Sequence, residues 1–276
     1  MRPKLDILDI SSSIGCNLQC KGCNHFSNYF APTSQLDTDA LIKDIEVILP
    51  RLDIGRVSII GGEPLLNPRC EELVDACRKY TTSPVYLYTN ALLLLQNEVW
   101  IRKALEDPRV YLRVSVHLPH VQDIIKQFNH PKVLVTEHHT GQDRWFNSIK
   151  KKEDKVYPYN QNKPAKSFQA CSCPNTQLYN GKLWKCPNTA FLRELLSVTE
   201  QEDAPEWQEY IVDGVPVDCT DEELTKYCAR TILPERVCNM CTYKPLHFSA
   251  AIQEQVKRKV ISVSYTHLTL PTKRIV

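Results

Sequence analysis

The chain has 276 residues, enough for one large domain or two small ones, and 34 Lys and Arg residues nearly balance 32 Asp and Glu residues. This balance excludes the strongly basic composition of proteins whose main partner is nucleic acid or an anionic membrane. No window reaches the roughly 18 apolar residues that a membrane helix needs. Acidic residues stand near the N-terminus, where a signal peptide would be apolar. We expect a cytoplasmic protein.

Predicted strands and helices alternate through the first half of the chain. The patterns predict strands at 5–10, 56–60, 85–89, 110–117 and 133–137, and helices at 37–49, 68–80, 97–106 and 121–128. Five successive strands connected by four helices favour a parallel sheet with right-handed crossovers, either open or part of a barrel.

The second half has a different pattern. Residues 141–167 are polar and basic and are predicted to form a linker or a lid, with the lysine run 150–152 as a solvated face. Asn180-Gly181 lies between two alternating runs and predicts a hairpin with a type I′ turn. Helical patches follow at 205–211 and 221–228, and a last helix is predicted at 250–260.

The last residues differ in character from the rest. The run VSYTHLTLPT within 262–276 resembles a translated sequencing-library adapter. We expect residues 262–276 to be a non-native tail, and finding these codons intact in the source genome would refute this.

Twelve cysteines are many for such a chain, and they cluster at 16–23, 70–77, 171–186 and 219–241. In a reducing compartment, closely spaced cysteines bind metals or do redox chemistry more often than they form disulfides. Cys70 and Cys77 share one helix face with apolar residues and are predicted to be core thiols, and Cys219 and Cys228 are expected to be buried. The remaining clusters predict two metal centres.

Cys16, Cys20 and Cys23 form a C-x3-C-x2-C loop after the first predicted strand. This loop therefore lies at the carboxyl end of the strands, where sites of such folds are built. Thiolates suit zinc or iron–sulfur clusters. A zinc site would borrow a fourth ligand such as His25, whereas a [4Fe-4S] cluster held at three irons leaves one iron open to a chelating cofactor. The spacing favours the iron–sulfur centre.

Together with Gly61-Gly62-Glu63-Pro64 after the second strand, this loop resembles the radical S-adenosylmethionine (SAM) superfamily. The resemblance implies a partial (β/α)6-type TIM barrel over residues 1–140. It also implies that the three cysteines hold a [4Fe-4S] cluster that cleaves bound SAM to a 5′-deoxyadenosyl radical. The residues implied to contact SAM are Gly61, Gly62 and Glu63 at its methionine end, Ser115 at the ribose and, more weakly, Asn90 with Thr89. Gly22 stands where many members have an aromatic residue, and Phe26 is the alternative.

The cysteines of the second half resemble those of auxiliary-cluster domains in the same superfamily, the SPASM and twitch types. Cys171 and Cys186 flank the hairpin in a C-x9-G-x4-C pattern, and Cys238 and Cys241 form a later C-x2-C pair. The resemblance implies a twitch-like domain over residues 168–261 with a second [4Fe-4S] cluster. Cys173 competes with Cys171 as the first ligand. A zinc ribbon-like site built from the same thiolates is the alternative.

The leading hypothesis is therefore a radical SAM enzyme whose second cluster assists substrate oxidation or binding. The alternatives are a peptide- or protein-modifying maturase and, in another class, a non-catalytic zinc-binding interaction protein. The expected partners are a small carbohydrate-like molecule or a peptide as substrate, and flavodoxin or ferredoxin as electron donor. No catalytic residue is assigned, since the histidines at 117, 120, 138 and 139 fit surface loops as well as proton transfer.

Overall fold

A computed structural model of the chain describes residues 2–34, 36–137, 147–171 and 174–245. Its strands are β1 Lys4–Ser13, β2 Asp53–Gly61, β3 Val85–Thr89, β4 Val110–Val116, β5 Val133–Glu137, β6 Lys150–Lys152, β7 Lys155–Tyr157, β8 Thr176–Tyr179, β9 Lys182–Trp184 and β10 Val215–Pro216. Its α-helices are α1 Thr38–Ile48, α2 Cys70–Tyr80, α3 Glu98–Leu105, α4 Val121–Phe128, α5 Pro164–Gln169, α6 Pro187–Ala190, α7 Leu192–Val198 and α8 Asp221–Thr231.

The central feature is a mostly parallel sheet with the strand order β10-β9-β8-β1-β2-β3-β4-β5. β1 to β5 are parallel, β8 pairs in parallel with β1, and β9 and β10 continue antiparallel. The expected α/β fold is confirmed. In the described part of the chain the sheet is open, with β10 and β5 at its edges.

One face of this sheet is apolar and packs against helices. Leu8 and Ile10 of β1 share a buried core with residues of α1 and α2, such as Ile45 and Leu73. The start of α1 is fixed by Asp37, whose carboxylate accepts hydrogen bonds from the backbone N–H groups of the first turn.

The opposite face carries polar and aromatic side chains. Asp9 of β1 lies in register between Ser58 of β2 and Gln177 of β8, and Tyr86 and Tyr111 continue this row on β3 and β4. Successive residues of a strand point to opposite faces, so this row lies away from the helix-covered core. This polar face extends towards the carboxyl ends of the strands.

Two predictions for the second half need correction. The predicted helix at 205–211 is only a short 3-10 helix at Gln208–Tyr210, and residues 147–167 of the predicted linker contain the β6–β7 hairpin and the start of α5. The β8–β9 hairpin forms as predicted, with Asn180 and Gly181 both at positive φ. The helix predicted at 250–260 and the tail 262–276 lie outside the described residues. Among the described helices, none has the length and apolar composition to cross a membrane.

Candidate active site

A cavity of about 230 Å³ opens at the carboxyl ends of the parallel strands. It is lined by most of the residues that the sequence singled out: Cys16, Cys20, Cys23, Gly61, Gly62, Glu63, Asn90 and Ser115. Four consecutive strand ends supply them. The thiols and the proposed SAM contacts, which are spread over about 100 residues of sequence, therefore share one space.

The two glycines after β2 pack against the cysteine loop. A Cβ at Gly62 would lie 1.9 Å from the Gly15 carbonyl oxygen, and one at Gly61, where φ is +145°, would lie 2.3 Å from that of Ser13. The Glu63 N–H donates to the Gly15 carbonyl at 3.0 Å. The two glycines therefore allow the end of β2 to lie close to the loop that carries Cys16, because a side chain at either position would push the loop away.

Glu63 is 1% exposed, and its carboxylate holds the ends of two strands together. It accepts hydrogen bonds from Thr89 Oγ1 at 2.7 Å, Asn90 N at 2.8 Å and Leu65 N at 3.1 Å. Burial raises the pKa of Glu63 to about 7, although these three hydrogen bonds act to lower it. A buried carboxylate of this kind is stabilised by a cation placed beside it.

The side chain of Asn90 is hydrogen-bonded to other residues of the protein. Its Nδ2 donates to Asn17 Oδ1 at 2.7 Å and lies 3.8 Å from Cys16 Sγ, and its Oδ1 accepts from Leu92 N at 3.1 Å. The structure therefore gives Asn90 the task of fixing the loop that carries Cys16.

The three thiols lie in a protected environment. Burial raises the pKa of Cys16 well above its usual value, with Glu63 adding to the rise, and raises the pKa of Cys20 to about 12. Burial also raises the pKa of Cys23, opposed by hydrogen bonds from the backbone of residues 25–27. The Leu18 N–H lies 3.3 Å from Cys16 Sγ. A metal centre must therefore displace the thiol protons when it binds.

The donor set suits a [4Fe-4S] cluster held at three irons, because three thiols of one loop line the cavity. Backbone N–H groups directed at the sulfurs are also a feature that tunes such clusters.

His25, the alternative zinc ligand, lines the cavity and is 8% exposed. Its Nδ1 lies 2.9 Å from Asn24 Oδ1. Burial lowers the pKa of His25 to about 4, so the ring is neutral near pH 7.

Several residues of the cavity were missed by the sequence predictions. Asp9, Asn175 and Tyr88 also line it. Asp9 and Ser11 alternate with the apolar residues Leu8 and Ile10 in β1, and this alternation could have identified Asp9 as a residue of the non-helical face.

The remaining candidate residues, two histidines and the pair Gly22 and Phe26, lie in different places. His117 lines the cavity, whereas His120 is exposed before α4. Phe26 and Gly22 line a neighbouring outer cavity of about 420 Å³. The histidines at 138 and 139 lie outside the described residues.

A second site lies at the end of the β8–β9 hairpin. A small cavity of about 30 Å³ is lined by Cys171, Cys186, Cys238 and Cys241. Cys186 precedes α6, and the C-x2-C pair lies in and just after a 3-10 helix at Arg236–Met240. Four thiols from three separate segments therefore meet, and the competing Cys173 lies outside the described residues.

Hydrogen bonds support this second set of thiols. Asn188 Nδ2 donates to Cys241 Sγ at 3.1 Å. Burial raises the pKa of Cys186 to about 11, and the neighbouring thiols at 171 and 238 add to the rise. Burial raises the pKa of Cys238, opposed by a backbone hydrogen bond at Glu235 and by the charge of Lys185.

The other cysteines have structural surroundings. Cys70 and Cys77 are buried in the core beneath the sheet, as predicted, and Cys228 is buried in the same core cluster, as expected. Cys219 was expected to be buried but is partly exposed, because it lies in a turn before α8, where Arg51 donates a hydrogen bond to its carbonyl oxygen.

Comparison with known proteins finds a family match in the first half of the chain. Residues 10–137 match the family model of the Radical SAM superfamily. GTP 3′,8-cyclase of Aquifex aeolicus (strain VF5) is 32% identical over 117 residues, which are 41% of this chain. The chain spans only 35% of the length of that relative.

Solved structures with similar folds are more distant. BtrN in an open conformation is 18% identical, with a TM-score of 0.48, over 88% of this chain and 94% of its own. The anSMEcpe enzyme with bound AdoMet is 15% identical, with a TM-score of 0.44, over 91% of this chain and 94% of its own. The prediction of a radical SAM domain in the first half of the chain is confirmed for residues 10–137.

Proposed function

Because residues 10–137 form a domain of the Radical SAM superfamily, we propose that this protein cleaves SAM reductively and removes a hydrogen atom from a substrate. One observation carries the proposal: Cys16, Cys20, Cys23 and Glu63 line a single cavity. When bound, a [4Fe-4S] cluster and SAM supply the 5′-deoxyadenosyl radical, and the protein positions the reactants and excludes water.

We assign a different role in cofactor binding to each group of residues in the cavity. Cys16, Cys20 and Cys23 hold three irons, and Glu63, buried and without a cation among its hydrogen-bond partners, pairs with the ammonium group of SAM. Gly61 and Gly62 keep this carboxylate next to the cysteine loop. Ser115, at the end of β4 and lining the same cavity, contacts the ribose.

We further propose that residues 168–261 hold a second [4Fe-4S] cluster through Cys171, Cys186, Cys238 and Cys241. The lining of one cavity by these four thiols supports this. Thiolates suit zinc as well, and the radical SAM domain at residues 10–137 favours the iron–sulfur cluster here. β8 pairs with β1, so this cluster is tied to the sheet that carries the first.

The test uses anaerobically reconstituted protein reduced with dithionite. Wild-type protein should convert SAM to 5′-deoxyadenosine and methionine, and Cys20→Ala should not. Cys77→Ala is the matched control, because Cys77 is buried in the core away from the cavity. A colourless wild-type preparation that retains stoichiometric zinc and leaves SAM intact would refute the proposal in favour of the zinc-binding alternative.

A further inference from the structure

Asp9 is a buried carboxyl group in the cavity that the proposed cofactors do not use. It lies on β1, is 4% exposed and lines the same cavity as the three cysteines. Its register partners are Ser58 on β2 and Gln177 on β8, both completely buried. Three polar side chains thus form a row across neighbouring strands on the face away from the helices.

The hydrogen bonding of Asp9 is incomplete. Asn175 Nδ2 donates to Asp9 Oδ2 at 3.0 Å. Ser58 approaches the carboxyl group, yet its Oγ makes no hydrogen bond of acceptable geometry. An ionised carboxylate has about four acceptor positions, and burial without partners is costly. Burial raises the pKa of Asp9, and nearby Arg56 opposes this rise.

The neighbouring row members also have unused acceptors. Gln177 Nε2 donates to the Asp9 carbonyl at 3.1 Å and to Ser11 Oγ at 2.8 Å, which leaves the buried Oε1 without a partner. His25 approaches the Gln177 side chain, yet its Nε2 has no hydrogen bond. His25 Nδ1 lies 2.9 Å from the side-chain oxygen Oδ1 of Asn24, which can only accept a hydrogen bond. Nδ1 is therefore assigned as the donor and Nε2 as the acceptor of the neutral ring.

Unsatisfied buried polar atoms in a native protein are explained by strain, by a functional role or by a bound water or ion. Near Asp9 they are the acceptors Gln177 Oε1 and His25 Nε2, the Ser58 hydroxyl and one donor, Arg56 Nε. Of these residues only His25 lines the cavity with Asp9, and the acceptors of Asp9 and His25 are complemented by a molecule rich in O–H or N–H donors. An ionised Asp9 repels a phosphate or carboxylate group at this place, although Arg56 opposes this effect.

We propose that Asp9 binds the substrate in this cavity, and that the substrate is a small molecule with neighbouring hydroxyl or protonated amino groups. The inference rests on the proposed function, because it places this molecule in the cavity of the radical source. Asp9 contacts the donor groups directly, and Asn175 holds its carboxyl group in place.

The test measures binding by saturation-transfer NMR on reconstituted protein saturated with SAM. The probes are glucosamine, glucose and gluconate, which carry similar hydroxyl groups and a positive, zero or negative charge. Wild-type protein should bind glucosamine about tenfold more tightly than gluconate, as expected for one hydrogen bond to a charged group, with glucose between them. Equal binding of glucosamine and gluconate, or no binding of any probe, would overturn the inference.

Variants assign the preference to Asp9. Asp9→Asn should weaken glucosamine binding about tenfold and remove the preference over gluconate. Asp6→Asn, at an exposed position of the same strand, should change neither. An unchanged preference in Asp9→Asn, or a loss of SAM binding instead, would overturn the assignment. If Asp9→Asn does not fold, the three probes on wild-type protein decide.

Failure of the two proposals can be told apart. Formation of 5′-deoxyadenosine without any probe tests the radical chemistry alone. If SAM is cleaved but gluconate binds as well as glucosamine, only the substrate inference is wrong. If glucosamine is preferred but SAM stays intact, only the proposed function is wrong.

Discussion

Gly62 packs so closely against Gly15 that a Cβ on it would lie 1.9 Å from the Gly15 carbonyl oxygen. This contact sets the distance between the end of β2 and the loop that carries Cys16. Since the obstructing atom belongs to the backbone, it has no rotamer by which to move away.

Gly62→Ala should therefore displace the cysteine loop, with an overpacking cost of about 1–3 kcal/mol. Iron should fall from roughly eight to about four atoms per chain, because only the second cluster is retained. Gly181→Ala is the control: its Cβ would meet only Asp44, at 4.0 Å, although φ is +71°. That backbone strain costs about 1–2 kcal/mol, and the iron content should be unchanged. Equal iron in both variants would refute the role of the contact.

SAM binding should depend on the ionisation of Glu63. Its pKa of about 7 means that the free protein carries both protonated and ionised forms near neutral pH. Only the ionised form pairs with an ammonium group, so binding is favoured above pH 7 and lost as the pH falls. The apparent Kd for SAM should rise up to about tenfold per pH unit below 7 and level off above it.

Isothermal titration between pH 5.5 and 8.5 measures this dependence. Glu63→Gln should bind SAM about 10- to 100-fold more weakly at pH 8 and show no such slope. A wild-type Kd that is constant over this range would contradict the pairing.

Loss of the second cluster should leave SAM cleavage intact. Cys186→Ala, Cys238→Ala and Cys171→Ala should each lower iron from roughly eight to about four atoms per chain and still yield 5′-deoxyadenosine. Cys219→Ala, which changes a thiol outside the cavity, is the control with full iron. Cys173→Ala should also keep its iron. The opposite result for Cys171 and Cys173 would make Cys173 the ligand.

Electrons should enter beside Cys23. The outer cavity next to this thiol is lined by Lys21 and Lys151, and Lys151 lies 5.2 Å from the ring of Tyr29. The positive charge suits an acidic donor such as flavodoxin. Lys151→Glu should slow reduction by flavodoxin about tenfold at low salt and leave reduction by dithionite unchanged. Lys103→Glu, exposed on α3, is the control. Equal rates for both variants would contradict this entry point.

The local elements of the first half could be predicted because each carries its own periodic signal. β3, α4 and β5 begin and end at the predicted residues. β3 has an alternating buried face, whereas β5 was identified by its β-branched and apolar run although none of its residues is fully buried. The cysteine loop and the glycines after β2 were also identifiable, because their spacing is local.

Long-range relationships could not be predicted. The pairing of β8 with β1 joins residues more than 160 positions apart, and no turn or spacing in the sequence marks it. Gly61 and Gly62 were implied to contact SAM and line the cavity, and the packing of Gly62 against the cysteine loop is a further long-range contact that the sequence did not reveal. Asp9 was missed because an acidic residue in a strand signals exposure unless the tertiary fold buries it.

The central claim is that the three thiols leave one iron open to SAM, and paramagnetic resonance of the first cluster tests it most directly. In Cys238→Ala, which should lack the second cluster, the spectrum of the reduced first cluster is recorded with and without excess SAM. Direct ligation should change the g values of the signal. An identical spectrum in the presence of saturating SAM would contradict the claim.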